Sequence, residues 1–230
     1  MSKTIIVVGF GPGISTGVAE KFGAQGFNVA LVGRTKDRLD AGVVALKAKG
    51  VKAAAFVADA GDPAAVAAVI EKVRSEFGPI DAIHWNAYGG GQGGDLIASS
   101  PDEIRGVFEI AITGLLVAVQ TALPDLKANK GAVLVTNGAF GDLNPQIDQV
   151  AASNNNMGLA LANAAKHKLV GLLVQKLKGD GVQVGEVMIA GSIKGTPWAA
   201  NNPNAIDPAT VGDAFFDLYE KRTDNYVRLS

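Results

Sequence analysis

The sequence predicts an α/β protein built on one doubly wound parallel sheet with helices on both faces. Short apolar runs rich in β-branched residues alternate with longer amphipathic stretches, the order of repeated βα units. The first run, TIIVVG at 4–9, is apolar almost throughout, as a strand covered on both faces must be. A glycine-rich turn then leads directly into an amphipathic stretch. Strands are expected near 4–9, 28–33, 52–57, 80–85, 131–136 and 182–189, and helices near 14–25, 36–49, 63–77, 101–123, 157–179 and 208–221.

Asp62-Pro63 reads as an N-cap followed by proline at the first helical position, and Ser100-Pro101-Asp102-Glu103 repeats that signal for the fourth helix. Residues 88–99 and 138–156 lack periodicity and follow strands, so both are expected as loops walling a ligand cleft. Residues 195–208, with Trp198 and further prolines, form a third irregular segment. No repeat or linker divides the 230 residues, so a single domain spanning 1–230 is expected.

Composition excludes several kinds of chemistry. There is no cysteine, hence no disulfide, thiol nucleophile or Cys-ligated metal, and redox chemistry would need a cofactor. Two histidines far apart give no zinc-ligand spacing, and there is no Gly-x-Ser-x-Gly elbow. A net charge of −1 argues against nucleic acid and acidic membranes as partners. The chain enters a strand pattern without an export signal and shows no apolar run of membrane-spanning length, so cytoplasmic residence is expected.

The turn VVGFGPGISTG joins strand to helix, the setting in which backbone N–H groups at a helix start bind phosphate. It marks a Rossmann-type dinucleotide site. Its residues Gly9, Gly11, Gly13, Ile14 and Ser15 do not match the strict pattern, which needs glycine at 14. With Gly9, Gly13 and a small residue at 15, it resembles the Gly-x-x-x-Gly-x-Gly turn of the short-chain dehydrogenase/reductase family, Ser15 standing at the last glycine. The resemblance continues through Gly33-Arg34-Thr35 and Ala58-Asp59-Ala60, which look like adenosine-binding positions, and Trp85-Asn86-Ala87-Tyr88-Gly89, similar to the family's Asn-Asn-Ala-Gly. It extends to 185–196, GEVMIAGSIKGT, in which Ile193 and Thr196 would meet the carboxamide and diphosphate of a nicotinamide cofactor.

Arg34 bears on which cofactor that is. A carboxylate after the second strand would accept the ribose hydroxyls of NAD, whereas a cation suits the 2′-phosphate of NADP. No Asp or Glu lies between Asn28 and Lys36, so NADP(H) is expected over NAD(H).

The resemblance implies a Ser that orients the substrate oxygen, a Tyr that exchanges its proton, a Lys that binds the nicotinamide ribose and an Asn on the fourth helix. Alignment puts Gly138, Ala162, Lys166 and Ala111 at those positions. The interval of 24 residues from Gly138 to Ala162 exceeds the family's usual gap, but the only tyrosines are Tyr88, Tyr219 and Tyr226, so no Tyr-x-x-x-Lys pair exists. Loss of a general acid costs roughly 10²–10⁴ in rate. Tyr88 is a replacement donor or an aromatic wall, and Lys166 is a ribose ligand or a desolvated acid. His84 reads as a core histidine and His167 as a solvent or subunit contact. Asn137 and the run Asn154-Asn155-Asn156 are cleft or turn residues, and Phe140, Met157 and Trp198 are walls or core.

Three functions follow: an atypical NADP(H)-dependent oxidoreductase for a small carbonyl or alcohol, a catalytically degenerate NADP(H)-binding sensor or scaffold, and a lyase or isomerase reusing the cleft. The resemblance implies a homodimer or homotetramer. The fourth helix, apolar on more than one face through Ile110, Ile112, Leu115, Leu116, Val117 and Val119, suits burial on both sides.

Overall fold

The computed structural model describes residues 2–89 and 93–230. Seven strands form one sheet in the order β3-β2-β1-β4-β5-β6-β7: β1 Thr4–Val8, β2 Asn28–Gly33, β3 Ala53–Val57, β4 Ala82–Trp85, β5 Ala132–Gly138, β6 Gln183–Ile189 and β7 Tyr226–Leu229. Every adjacent pair is parallel. The six expected strands and five of the six expected helices are present within a few residues of their expected ends. These helices are α1 Ile14–Ala24, α2 Lys36–Ala48, α3 Pro63–Phe77, α7 Met157–Leu177 and α8 Pro208–Lys221.

Three elements differ from expectation. Strand β7 was not anticipated, because four residues at a sheet edge are too few to show a period. Residues 138–156 are not wholly irregular: Asn144 accepts a hydrogen bond from the Gln146 N–H and starts α6, Pro145–Ser153. Only Ala151 of α6 is buried, so no apolar stripe signalled it. The fourth helix is interrupted: α4 (Pro101–Phe108), opened by the Ser100–Glu103 capping box, passes through a π turn at Glu109–Thr113 into α5 (Gly114–Ala128). α5 carries Pro124 within it instead of ending there. By length and composition the run Pro101–Ala128 matches a membrane span, contrary to the sequence expectation. Here Leu115, Ala118, Ala122 and Leu126 are fully buried in the fold.

The core lies in two layers, one on each face of the sheet. Ile6, Ile83, Val133 and Val184 pack on one side with α3, α5 and α7. Ile5, Val7, Leu31 and Leu134 pack on the other with α1 and α8. Burial at about 25 cal/mol per Å² of apolar surface makes these layers the main stabilising term.

The sheet order reverses between β1 and β4, and a crevice opens outside the carboxyl ends of those two strands. Gly9 lies there with φ of 81°, and a Cβ on it would come 2.6 Å from the Ala87 nitrogen, so only glycine lets the turn after β1 approach the end of β4. On the opposite side of α1, a Cβ on Gly17 would fall 1.9 Å from the Pro208 carbonyl oxygen. That contact seats α1 against α8.

Candidate active site

The glycine-rich turn is held from within. Gly9 and Phe10 N–H groups donate to the Val32 carbonyl at 2.9 and 3.0 Å, fastening the turn to β2. The Ser15 hydroxyl accepts from the Gly11 N–H at 2.8 Å and donates to the Gly11 carbonyl at 3.0 Å, and Thr16 donates to the same carbonyl at 2.9 Å. Ser15 is fully buried, so its side chain shapes the turn. Helix α1 has Gly13 as N-cap, with no side-chain cap and no acidic residue in its first turn. Its first N–H groups therefore suit an anion.

A groove of about 250 Å³ runs along this turn and the ends of β2, β3 and β4. It brings together the expected Gly9, Arg34, Thr35, Asp59 and Ala60 with Asn86, Ala87 and Tyr88. The Asn86 amide donates to the Gly9 carbonyl at 3.2 Å, tying the β4 end to the turn. Arg34 stands 4.0 Å from the Asp59 carboxylate, and both are well exposed. Arg38, which the sequence reading did not single out, lines the groove beside Arg34. Its position one turn beyond Arg34 was the signal available. Ile193 and Thr196 also reach the turn: a Cβ on Gly13 would lie 3.0 and 2.9 Å from their γ-methyl carbons. Ile14 packs partly into the core beneath.

Tyr88 and Ala87 line both this groove and a second hollow of about 10 Å³, which contains Lys166, Ala111, Ala162, Asn163 and Gly158. The hollow has room for about one water molecule. Tyr88 is 57% exposed at the junction. Lys166 is buried and makes no hydrogen bond or ion pair with any described side chain. Desolvation lowers its pKa to about 8, while the Glu186 charge acts in the opposite direction. Ala111 falls within the π turn, a distortion frequent at functional sites. Of the 88–99 loop, residues 90–92 lie outside the described residues.

Other candidates are placed elsewhere. His84 is a core residue, with Nε2 3.0 Å from the Thr136 hydroxyl and its ring edge against Phe215. Burial lowers its pKa to about 3. Trp198 is 81% exposed and is not packed in the core. Asn154 donates to the Val150 carbonyl at 2.8 Å and Asn155 has φ of 52°, so these asparagines turn the chain out of α6. Asn137 is buried and donates both to the Asn163 carbonyl at 3.0 Å and to Glu186. His167 turns back onto the protein, with Nδ1 2.5 Å from a Glu186 carboxylate oxygen. Glu186 and Asn163 were missed. A lone carboxylate inside an apolar strand was the signal for the first.

A doubly wound sheet with a glycine turn, an anion-ready helix start and a groove across the switch point defines a dinucleotide-binding protein. The chain belongs to the short chain dehydrogenase family, whose model matches residues 3–204. It is 30% identical over 178 residues to the 3-oxoacyl-(acyl-carrier-protein) reductase FabG of Staphylococcus aureus, covering 76% of this chain and 72% of that one. Over 189 residues it is 29% identical to a meso-2,3-butanediol dehydrogenase of Serratia marcescens, covering 81% and 70%. Its fold matches that of L-sorbose reductase from Gluconobacter frateurii, complexed with NADPH and L-sorbose, with a TM-score of 0.85 at 21% identity over 100% and 95% of the two chains.

Proposed function

We propose that this chain is an atypical NADP(H)-dependent oxidoreductase that interconverts a carbonyl and an alcohol on a small organic substrate. The observation that carries this reading is the pair of guanidiniums, Arg34 and Arg38, in a groove that also borders the Lys166 hollow through Tyr88. Two guanidiniums in the groove, with no Asp or Glu between Asn28 and Lys36, suit a ribose phosphate. The relatives support the reaction class, since one is named as an oxoacyl reductase and another as a diol dehydrogenase. The solved neighbour carries NADPH.

The residues fit the cofactor part by part. The α1 start would hold the diphosphate, Arg34 and Arg38 the 2′-phosphate, and Lys166 the nicotinamide ribose hydroxyls. The bound nicotinamide would supply or take up hydride. Tyr88 closes the junction between groove and hollow, and its phenol, water or the substrate itself provides the proton that Ala162 and Gly138 cannot. Spectroscopic assay of NADPH oxidation across a panel of ketones, aldehydes and imines tests the reading.

A second reading rests on the hollow itself. With room for about one water molecule and with Ala111, Gly138 and Ala162 at the resemblance's catalytic positions, the site also suits a protein that binds NADP(H) without turning it over. Tight binding with no turnover across the panel would decide for it.

The same proposal includes self-assembly and cytoplasmic residence. Leu161 and Leu172, three turns apart on one face of α7, are exposed. They would be covered in a homodimer or homotetramer, which sedimentation measures. A nicotinamide dinucleotide pool is intracellular, and cell fractionation tests that location.

A further inference from the structure

Asn163 follows Ala162 on α7 and precedes Lys166 by three residues, so its side chain shares the Lys166 face of the helix. It is 4% exposed and lines the hollow together with Ala162 and Lys166. Among the described residues its side-chain amide has no hydrogen-bond partner, since the bond that Asn137 donates here, at 3.0 Å, ends on the Asn163 backbone carbonyl. An amide offers two donors and an acceptor, and one withdrawn from water is costly to leave unpaired.

The place of that amide is set by what β5 lacks. Gly138 has an ordinary extended backbone, with φ of −122° and ψ of 148°, so conformation does not call for glycine there. Space does. A Cβ on Gly138 would fall 2.7 Å from the Asn163 Nδ2, with the Asn163 Cγ at 3.6 Å, so the amide nitrogen occupies the room that a side chain at 138 would take. The resemblance puts a substrate-orienting Ser at that position, and Asn163 brings a donor into the same room from α7. Both sides of the room are tied together. The Asn137 side chain donates to the Asn163 carbonyl and to Glu186 and accepts from the Gly138 N–H at 3.0 Å, fastening the end of β5 to α7. A Cβ on Gly141 would lie 2.7 Å from the Ala164 nitrogen and 2.9 Å from the Asn163 Cβ, so the chain after β5 also lies directly against α7. A donor held in place before binding needs little reorganisation when charge develops beside it.

We propose that the Asn163 side-chain amide orients the substrate oxygen, supplying from α7 the hydrogen bond that the serine position on β5 has lost. The hollow's room for about one water molecule is room for one carbonyl or hydroxyl oxygen, with the rest of the substrate left in the groove. Toward a carbonyl the amide donates from Nδ2, and toward an alcohol it accepts at Oδ1, so one contact serves both directions of the reaction. It moves no proton. This inference rests on the reading of the chain as a carbonyl–alcohol oxidoreductase, and it is measured by binding as well as by turnover.

The experiment follows the side-chain amide resonances of isotope-labelled asparagine by NMR, with the Asn163 pair identified by its loss in Asn163→Asp. NADP+ is added first and acetone second, so that the carbonyl is held with no hydride to receive. A saturable shift of the Asn163 pair by acetone is expected. Read from backbone amides around the hollow, Asn163→Ala is expected to weaken acetone binding about 3- to 10-fold with NADP+ affinity unchanged. Gly138→Ala, whose Cβ meets the amide nitrogen, is expected to move the Asn163 pair without any ligand and to weaken acetone to a similar degree. Gly138→Ser combined with Asn163→Ala returns the donor to β5 and is expected to bring acetone binding back to within about threefold of the parent, a recovery that a merely structural Asn163 does not predict. NADP+ binding with an Asn163 pair that acetone leaves unmoved, or acetone binding that Asn163→Ala does not weaken, would overturn the proposal and leave the cofactor site standing. An acetone shift at Asn163 without NADP+ binding would uphold the role of the amide and sink the cofactor assignment alone.

Discussion

Arg34 and Asp59, which follow β2 and β3, face each other 4.0 Å apart in the groove, with both side chains open to water. An ion pair so long and so wet is worth little, so Asp59 leaves the guanidinium available to an anionic ligand. Charge-assisted hydrogen bonds are worth about 1.5–3 kcal/mol each. Arg34→Ala and Arg38→Ala are therefore each expected to weaken NADPH binding by roughly 10- to 100-fold, with NADH binding nearly unchanged. Calorimetric titration with both dinucleotides checks this. Equal losses for the two would show that the cations do not meet a 2′-phosphate.

Gly17 tests the seat of the cofactor turn. A Cβ there would meet the Pro208 carbonyl oxygen at 1.9 Å, and both partners are backbone. Gly17→Ala must push α1 from α8 and is expected to cost more than about 2 kcal/mol, within the range for overpacking. Urea unfolding measures it. A variant as stable as the parent would mean that the two helices separate easily.

Lys166 predicts a pH dependence of stability. Its folded pKa of about 8 lies below the ordinary 10.5, so between these values the unfolded chain binds more protons than the folded one. Stability attributable to this group rises as pH increases from about 8 towards 10.5, by up to roughly 3 kcal/mol on the scale of 1.36 kcal/mol per pKa unit. Lys166→Met removes the buried amine and is expected to be more stable than the parent at pH 7, the difference shrinking by pH 10. Paired denaturant curves read the difference. A gap that stays constant with pH would contradict the buried-amine assignment.

Reinstating the resemblance's missing groups tests how far the hollow has changed. A Cβ at Gly138 would come 2.7 Å from the Asn163 side-chain nitrogen, and Ala162 faces a hollow of only about 10 Å³. Gly138→Ser with Ala162→Tyr is expected to gain less than about tenfold in carbonyl reduction, against the roughly 10²–10⁴ a positioned acid contributes. A larger gain would mean that side-chain identity alone withholds the chemistry.

The layers of the fold were legible because the buried strands are continuously apolar and several helix starts carry proline and cap residues, as at Asp62-Pro63 and Ser100-Pro101. Strand β7 and helix α6 were not legible. One is a four-residue edge strand and the other buries a single side chain, so neither has an apolar period to read. On the cofactor side, Gly9, Arg34, Asp59 and Asn86 were traceable because each follows a strand end at the switch point. Glu186 escaped notice because its partners, Asn137 and His167, are 49 and 19 residues away, and only folding places them on one carboxylate. His167 is half exposed on the side of α7 that its helical angle indicates, but that angle did not reveal the Glu186 carboxylate its ring meets there.

The groove lined by Gly9, Arg34 and Arg38, which meets the Lys166 hollow at Tyr88, is proposed as an NADP(H) site. The most direct test is a fluorescence titration of the purified protein with NADPH and, in parallel, NADH. Saturable binding of NADPH at least tenfold tighter than NADH, lost in the Arg34→Ala, Arg38→Ala double variant, is the predicted result. No saturable binding of either dinucleotide, or tighter binding of NADH, would contradict it.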